Sequence, residues 1–453
     1  MEKNDIIILI ILFTVAFTFY YWVLTKDPLI PGVDGPYYLI QVRSILSTGQ
    51  MTYGDPPLVF YVSSLLALIL GDIRLAVSLC VAIFCALTTI PSYLIVKETT
   101  NNEVGGIAAS IATVISPQLV RMSSDLMKNA SGVFFLTLSI YLLTRLTFKK
   151  DLKTIPLLII SSYLAFLTHS LDFAYTLLYI IVYSIAHIIF TSHKKSTIIV
   201  WAITILTIST LIIASALAFP YYFTDINKGI IFIRDIISPK EGKTARHQLP
   251  LGKPKPSRTW PTINYRDIGY SIPYLLAGVI LLIDVHRREK EKIDTLIPLI
   301  IATIIACLVG MLPSLLNLKE WAWRFLLMEL VPIGIITGIA TTRPRDKISS
   351  LVILTILITP IIIQTGDAVL RVAPTTTLEG YNDLLKIREI MNNNNYHARC
   401  RADKYWFEYV LGPEEEGQVE YIIICKGIPP PPNVFKPIYH GKYYTLFKRS
   451  ISP

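Results

Sequence analysis

Residues 6–24, IIILIILFTVAFTFYYWVL, run without a charge, and Thr25-Lys-Asp-Pro-Leu-Ile-Pro31-Gly32-Val33-Asp34-Gly35-Pro36-Tyr37-Tyr38 follows at once. The run is long enough to cross a hydrocarbon core of roughly 30 Å as a helix. One lysine precedes it and no small-residue cleavage pattern follows, so it reads as an anchor helix rather than a removed signal peptide. Further apolar runs lie at about 73–96, 104–119, 131–147, 154–170, 172–191, 198–219, 268–284, 294–313, 324–341 and 348–365. The expectation is an α-helical polytopic membrane protein with about eleven transmembrane helices. Composition agrees: 53% of the 453 residues are hydrophobic and 16% charged, against roughly a quarter charged in soluble chains. A soluble enzyme, a disordered chain and a secreted disulfide scaffold are excluded. The runs do not alternate in polarity, which disfavours an outer-membrane barrel.

The net charge of +10 is informative through its placement, and it does not point to nucleic acid. With the N-terminus inside, the inner loops carry Lys97, then Arg145, Lys149, Lys150 and Lys153, then Lys194 and Lys195, then the Arg287–Lys292 and Arg343–Lys347 clusters. The short outer loops hold only scattered Lys26, Arg43, Arg121, Lys128 and Lys319. This bias predicts a multi-pass protein of the cell membrane with a cytoplasmic N-terminus and an extracytoplasmic C-terminal segment. Pro57–Leu70 is apolar but too short to span, and reads as an interfacial or re-entrant helix. Residues 1–365 form the transmembrane unit, with outer loops 25–72 and 220–267. The second loop is basic and rich in Pro and Gly: either a solvated loop or a cationic flap over an anionic substrate. Residues 366–453 gain charge and read as a small α+β domain, with a helix at Leu378–Met391 and strands at Val419–Cys425 and Lys442–Phe447. Its Cys400 and Cys425 face an oxidising side, as a disulfide or as two buried thiols. Cys80, Cys85 and Cys307 sit in apolar runs as packing residues.

Several polar groups collect on the outer side. Asp34, held between Gly and Pro, can act as a general base or bind a metal, or can simply cap a turn. Asp125 places a second carboxylate on that face, where it can also cap the next helix, with Lys128 one turn on. Asn129-Ala-Ser131 is a formal glycosylation sequon at a helix start. His169 and Asp172, three apart at the outer junction of two spans, can bind a substrate hydroxyl or a metal, or pair with each other. In Lys319-Glu320-Trp321-Ala-Trp323-Arg324-Phe325, Arg324 opens a span where its fork can clamp a lipid phosphate; an interfacial belt reads the same way.

Together these features resemble the GT-C superfamily of polytopic glycosyltransferases, which includes oligosaccharyltransferase catalytic subunits and protein O-mannosyltransferases. Gly32-x-Asp34-x-Pro36-Tyr37-Tyr38 with Arg43 resembles that family's first-loop acidic motif. Asp55-Pro-Pro-Leu58 resembles its step into an interfacial helix, Arg74 the arginine opening the second span, and Ser123-Ser-Asp125-Leu-x-Lys128-Asn the second-loop acidic segment of archaeal members. Trp323-Arg324-Phe325 with Pro332 resembles the late arginine helix. The resemblance implies a catalytic role for Asp34, an assisting role for Asp125, lipid-phosphate contacts for Arg324, Lys128 and Arg74, and substrate contacts for Tyr37, Tyr38, His169, Asp172 and Glu320. It admits a divalent metal, Mg or Mn, on Asp34 and Asp125. Trp406-Phe-Glu-Tyr409-Val is a worn echo of the oligosaccharyltransferase WWDYG motif, with three of five positions changed.

The implied reaction moves a sugar from a polyprenyl phosphate-linked donor to a protein, glycan or lipid acceptor, with membrane lipids as further partners. The abundance of Ile, Lys and Asn resembles archaeal sequences, in which the carrier is dolichyl phosphate. Two alternatives stand beside it: a non-catalytic membrane protein of the same fold, in which Asp34 and Asp125 would not converge, and a lipid or solute transporter or flippase, which would place charges at mid-membrane.

Overall fold

The computed structural model describes residues 3–191, 194–223, 229, 231, 234–235, 265–288, 293–344, 346–392, 395–400, 403–415 and 419–450. The expected cationic loop 220–267 falls almost entirely outside these residues. The anchor run forms α1 (Lys3–Thr25), and the loop after it folds into α2 (Gly35–Thr48) and α3 (Leu58–Leu70). Next come α4 (Ile73–Leu87), α5 (Thr89–Thr100), α6 (Glu103–Val114), α7 (Pro117–Asp125), α8 (Met127–Phe148), α9 (Thr154–Thr168), α10 (Ser170–Phe190) and α11 (Lys194–Ala218). The later helices are α12 (Tyr265–Arg288), α13 (Ile293–Leu315), α14 (Lys319–Leu327), α15 (Leu330–Thr341) and α16 (Lys347–Arg371).

Among the described residues, nine helical stretches are long and apolar enough to cross a membrane, or ten if α6 and α7 count as one span bent by 41°. This revises the expected eleven. The run at 104–119 breaks where Ser116 caps α7 and Pro117 opens it, because proline cannot continue the ladder from the preceding turn. The run at 154–170 is helical only to Thr168; His169 is extended, with φ −162° and ψ 132°. Its 15 residues reach about 22 Å, short of the hydrocarbon thickness. α3, at 13 residues, is short as expected.

Helix contacts rely on small residues where backbones close up. A Cβ on Gly338 would lie 2.7 Å from the Gly105 carbonyl oxygen, and one on Gly334 would meet Thr113 Oγ1. Glycine therefore lets α6 and α15 approach as membrane helices do when hydrophobic drive is absent. Long-range bonds tie the bundle further: Tyr20 donates to the Val114 carbonyl and Tyr274 to that of Leu357. Near the middle of the Trp321–Thr341 span, Glu329, 1% exposed between α14 and α15, accepts from the Ser271 hydroxyl and packs on Gly310.

The C-terminal domain adds α17 (Leu378–Ile390), β1 (Tyr396–Ala398), α18 (Lys404–Leu411), β2 (Tyr421–Cys425), β3 (Phe435–His440) and β4 (Tyr444–Arg449). The sheet order is β1-β2-β4-β3, with β1 parallel to β2 and the other pairs antiparallel. The expected strands are β2 and β4; β1, β3 and α18 are additions. Cys400 and Cys425 are joined as a disulfide, with Cα atoms 5.7 Å apart. Cys80, Cys85 and Cys307 are free and buried. Below, the loop end of the bundle is the end that carries Asp34; the far end is the opposite one.

Candidate functional site

The site begins with Gly32. Its φ is +85°, and a Cβ there would fall 1.8 Å from the Ser124 carbonyl oxygen and 3.1 Å from Asp125 Oδ1. Only glycine lets the first loop rest directly on the end of α7. The Gly32 amide donates to the Ala373 carbonyl at 3.1 Å, and Gly32 bridges to Pro374. The loop is thus held between the second loop and the start of the C-terminal domain. Asp34 occupies the N-cap position of α2 without making a capping bond from its side chain.

Asp34 lies close enough to Asp125 for its charge to act on it. Burial is the largest influence on Asp125 and pushes its carboxyl up to about 7; the negative charge of Asp34 adds to this, while the Arg121 guanidinium and the Val33 amide oppose it. Arg121 Nε lies 3.9 Å from Asp125 Oδ2, one helical turn back. Burial and the charge of Asp34 together favour uptake of a proton or a cation at Asp125.

Tyr37 and Tyr38 fix the start of α2. The Tyr37 hydroxyl donates to Asp55 Oδ2 at 2.7 Å and accepts from Gln41 Nε2 at 3.0 Å. Burial, then the Asp55 charge, raises its pKa. The Lys128 amide donates to the Tyr38 hydroxyl at 2.8 Å, and its ammonium pairs with Asp55. Asp55 is 6% exposed. This buried pair ties the start of α8 to the first loop. From the C-terminal domain, the Tyr405 ring lies 5.2 Å from that of Tyr37, and burial followed by the charges of Asp34 and Asp55 raises the Tyr405 pKa. α18 is anchored on α2 by Arg43, which donates to the Tyr409 carbonyl at 2.7 Å with its guanidinium 3.7 Å from the Tyr409 ring centroid.

Two further clusters adjoin. Asp172 is wholly buried, with His169 Nδ1 3.1 Å from its Oδ2. With its amide oriented to satisfy hydrogen bonds, Asn129 donates to both Asp172 oxygens, at 2.8 and 3.0 Å. Asn129 is therefore a core residue at 1% exposure, not an accessible glycan acceptor. Gly132 leaves room for the Asp172 carboxylate, which a Cβ would meet at 2.3 Å. On the other side, the guanidinium carbons of Arg121 and Arg324 each lie 5.2 Å from the Trp323 ring centroid. Trp323 thus links Arg324 to the Arg121–Asp125 pair.

The structure brings Asp34, Tyr37, Tyr38, Asp125 and Lys128 into one locus, with His169, Asp172 and Arg324 beside it. Arg74 donates to the Asp27 carbonyl at 2.9 Å and holds the first loop. The side chain of Glu320 lies outside the described residues. Asp55 and Tyr405 were not among the expected site residues. The first stands beside two prolines that look like turn chemistry, and the second is distant in sequence. Among the described residues no group of three or more His, Cys, Asp or Glu converges on a point. Asp34 and Asp125 supply oxygen donors only, the set that Mg or Mn takes from one or two carboxylates when water and substrate phosphate complete the shell.

A family model described as dolichyl-phosphate-mannose-protein mannosyltransferase matches residues 54–217. No curated protein sequence matches the chain. Among solved structures, the archaeal oligosaccharyltransferase AglB from Archaeoglobus fulgidus, in complex with an inhibitory peptide and a dolichol-phosphate, is similar at a TM-score of 0.61 and 12% identity, over 94% of this chain and 70% of that one. The apo form of the Archaeoglobus fulgidus oligosaccharyltransferase gives 0.58 and 12%, over 92% and 69%. At such identity the likeness is one of fold, and it runs through both the membrane helices and the C-terminal domain. The family match covers the segment that holds Asp55, Asp125, Lys128 and Asp172, and the fold of this multi-pass chain is similar to that of these oligosaccharyltransferases.

Proposed function

We propose that the chain moves a sugar from a polyprenyl phosphate-linked donor, dolichyl phosphate by analogy with its structural neighbour, to an acceptor at the outer membrane face. The supporting observation is the meeting of Asp34 and Asp125 beside the Arg121–Trp323–Arg324 cluster, under the C-terminal domain. In this reading the N-terminus and the far end of the bundle are cytoplasmic. Asp34 takes the proton of the acceptor hydroxyl or amide as that atom bonds to the anomeric carbon. The bond from the anomeric carbon to the phosphate oxygen breaks, and the electron pair leaves with the polyprenyl phosphate. Arg324 and Arg121 stabilise that departing charge. Asp125 orients the donor. A divalent cation on Asp34 and Asp125 would supply further neutralisation of the phosphate. Tyr37, Tyr38, His169 and Asp172 shape the acceptor side.

The test is transfer of radiolabelled sugar from polyprenyl phosphate donors by the full chain in detergent micelles. Asp34→Asn should lose roughly 10²- to 10⁴-fold in rate, the usual contribution of a general base, while keeping its size-exclusion profile. Equal rates in wild type and variant would remove Asp34 from the mechanism.

A further inference from the structure

The span that carries Arg324 is not one continuous helix: α14 ends at Leu327 and α15 starts at Leu330. Pro332 accounts for the break, because its missing amide withdraws the helical bond to the Met328 carbonyl and its ring crowds that carbonyl. Across the break the ladder tightens to three-residue steps. The Met328 amide donates to the Phe325 carbonyl at 3.0 Å, that of Glu329 to Leu326 at 3.3 Å and that of Val331 to Met328 at 3.4 Å. Such steps have poorer hydrogen-bond geometry than the α-helix, and no water in a hydrocarbon core mends them. The angle between the two halves is therefore set by what grips the break.

Three helices grip it. The Glu329 carboxylate leaves the chain sideways and accepts from the Ser271 hydroxyl of α12. Its Cγ rests on Gly310 of α13, where a Cβ would lie 2.6 Å away, so only glycine admits it. From α10, the Tyr175 hydroxyl donates to the Phe325 carbonyl at 3.5 Å, and the two rings lie 6.1 Å apart. An acid at this depth is expensive, and its place in the membrane is a sign of function. Glu329 lies just beyond the nine-residue α14, which carries Trp323 and Arg324. The angle of α14 decides where the Arg324 guanidinium falls beside Trp323 and Arg121.

We infer that Glu329 is a positioning residue for the arginine cluster. Its clasp on Ser271 and Gly310 fixes the angle of α14 and so aims Arg324 at the carrier phosphate. This rests on the phosphate role proposed for Arg324 and adds the group that sets its place.

Native mass spectrometry of the full chain in detergent, titrated with dolichyl phosphate, reads carrier affinity without any need for transfer. Arg324→Gln should weaken binding roughly tenfold, the worth of one charge-assisted hydrogen bond. Glu329→Leu should weaken it comparably, whereas Glu329→Gln, whose amide oxygen still accepts from Ser271, should bind close to wild type. Ser271→Ala, a second way to open the clasp, should shift affinity in the same direction as Glu329→Leu. Arg324→Gln combined with Glu329→Leu should bind no more weakly than Arg324→Gln alone, since aiming an absent group gains nothing. Additive losses would overturn the inference and leave Arg324 in its role. So would wild-type affinity in folded Glu329→Leu, which would make Glu329 a packing residue only. If Glu329→Leu does not fold, the cycle of Ser271→Ala with Arg324→Gln decides by the same rule. Wild-type affinity in Arg324→Gln would overturn the inference together with the phosphate role of Arg324, while the Asp34 test of transfer would stand apart.

Discussion

The two ends of the helix bundle treat buried carboxylates differently. At the far end, Asp5 is 2% exposed and sits 3.0 Å from Lys97 Nζ, with the Tyr93 hydroxyl donating to it at 2.7 Å. Glu98 there accepts from Tyr141 at 3.1 Å and lies 3.3 Å from Lys149 and 3.6 Å from Arg145. Each acid is matched by a close cation. At the loop end, the charge of Asp34 acts on the buried Asp125, whose Arg121 stands 3.9 Å away, while the well-placed ammonium of Lys128 is committed to Asp55. A fold that neutralises its acids at one end and crowds two together at the other has spent stability where chemistry is wanted.

The largest expected effect sets these ends directly against each other. Asp34→Asn should cost the roughly 10²- to 10⁴-fold in transfer stated above with little change in thermal midpoint. Asp5→Asn should lower the midpoint and leave the rate per folded molecule near wild type. If Asp5→Asn stops transfer in folded protein, or Asp34→Asn unfolds the chain, the contrast fails.

Next comes Lys128→Met, which leaves the Asp55 carboxylate buried and uncompensated, a loss of about 3–5 kcal/mol. Adding Asp55→Asn should recover most of the thermal midpoint in a double-mutant cycle. Additive losses would mean that the two side chains act separately.

Asp125 sharpens the comparison through pH. Its carboxyl is raised to about 7. Below the unfolded value of about 4 both states are protonated, and the stability this site contributes is present in full. That contribution is lost as pH rises through about 7, with an upper limit of about 4 kcal/mol at 1.36 kcal/mol per pH unit. The midpoint of wild type relative to Asp125→Asn should therefore fall between about pH 4 and 8. A flat difference would show that Asp125 is not held up. A fall that vanishes in Asp34→Asn with the burial of Asp125 unchanged would assign the shift to the charge of Asp34 rather than to burial.

The smallest effect is Arg43→Met, which removes an exposed contact between the C-terminal domain and α2 worth about 0.5–1 kcal/mol. The thermal midpoint should drop slightly, and transfer should hold if α18 is kept in place by the Gly32 bridge and the Tyr37–Tyr405 contact.

How much of this was legible beforehand differs by kind of feature. The spans were readable because a membrane helix must satisfy its own backbone bonds and face lipid, so hydropathy over a window reports it with no knowledge of neighbours. The break at Pro117 was written in the chain but masked by the hydropathy around it. The same averaging hid Glu329, since one acid barely alters a window of apolar residues. Asp34 stood out locally, between glycine and proline after a span.

The sequence by itself determined a helical membrane bundle, the short α3, a polar C-terminal α+β domain and two carboxylates on one face, because each follows from local composition and period. Only the tertiary structure decided that Gly32 seats the first loop on Asp125, that Lys128 serves Asp55, that Asn129 belongs to Asp172, and that Tyr405 reaches the Tyr37 ring from the other end of the chain. These are contacts between residues far apart in sequence. Their energies depend on distances and burial that no single segment encodes, and the partner a charged group takes is settled when the helices pack.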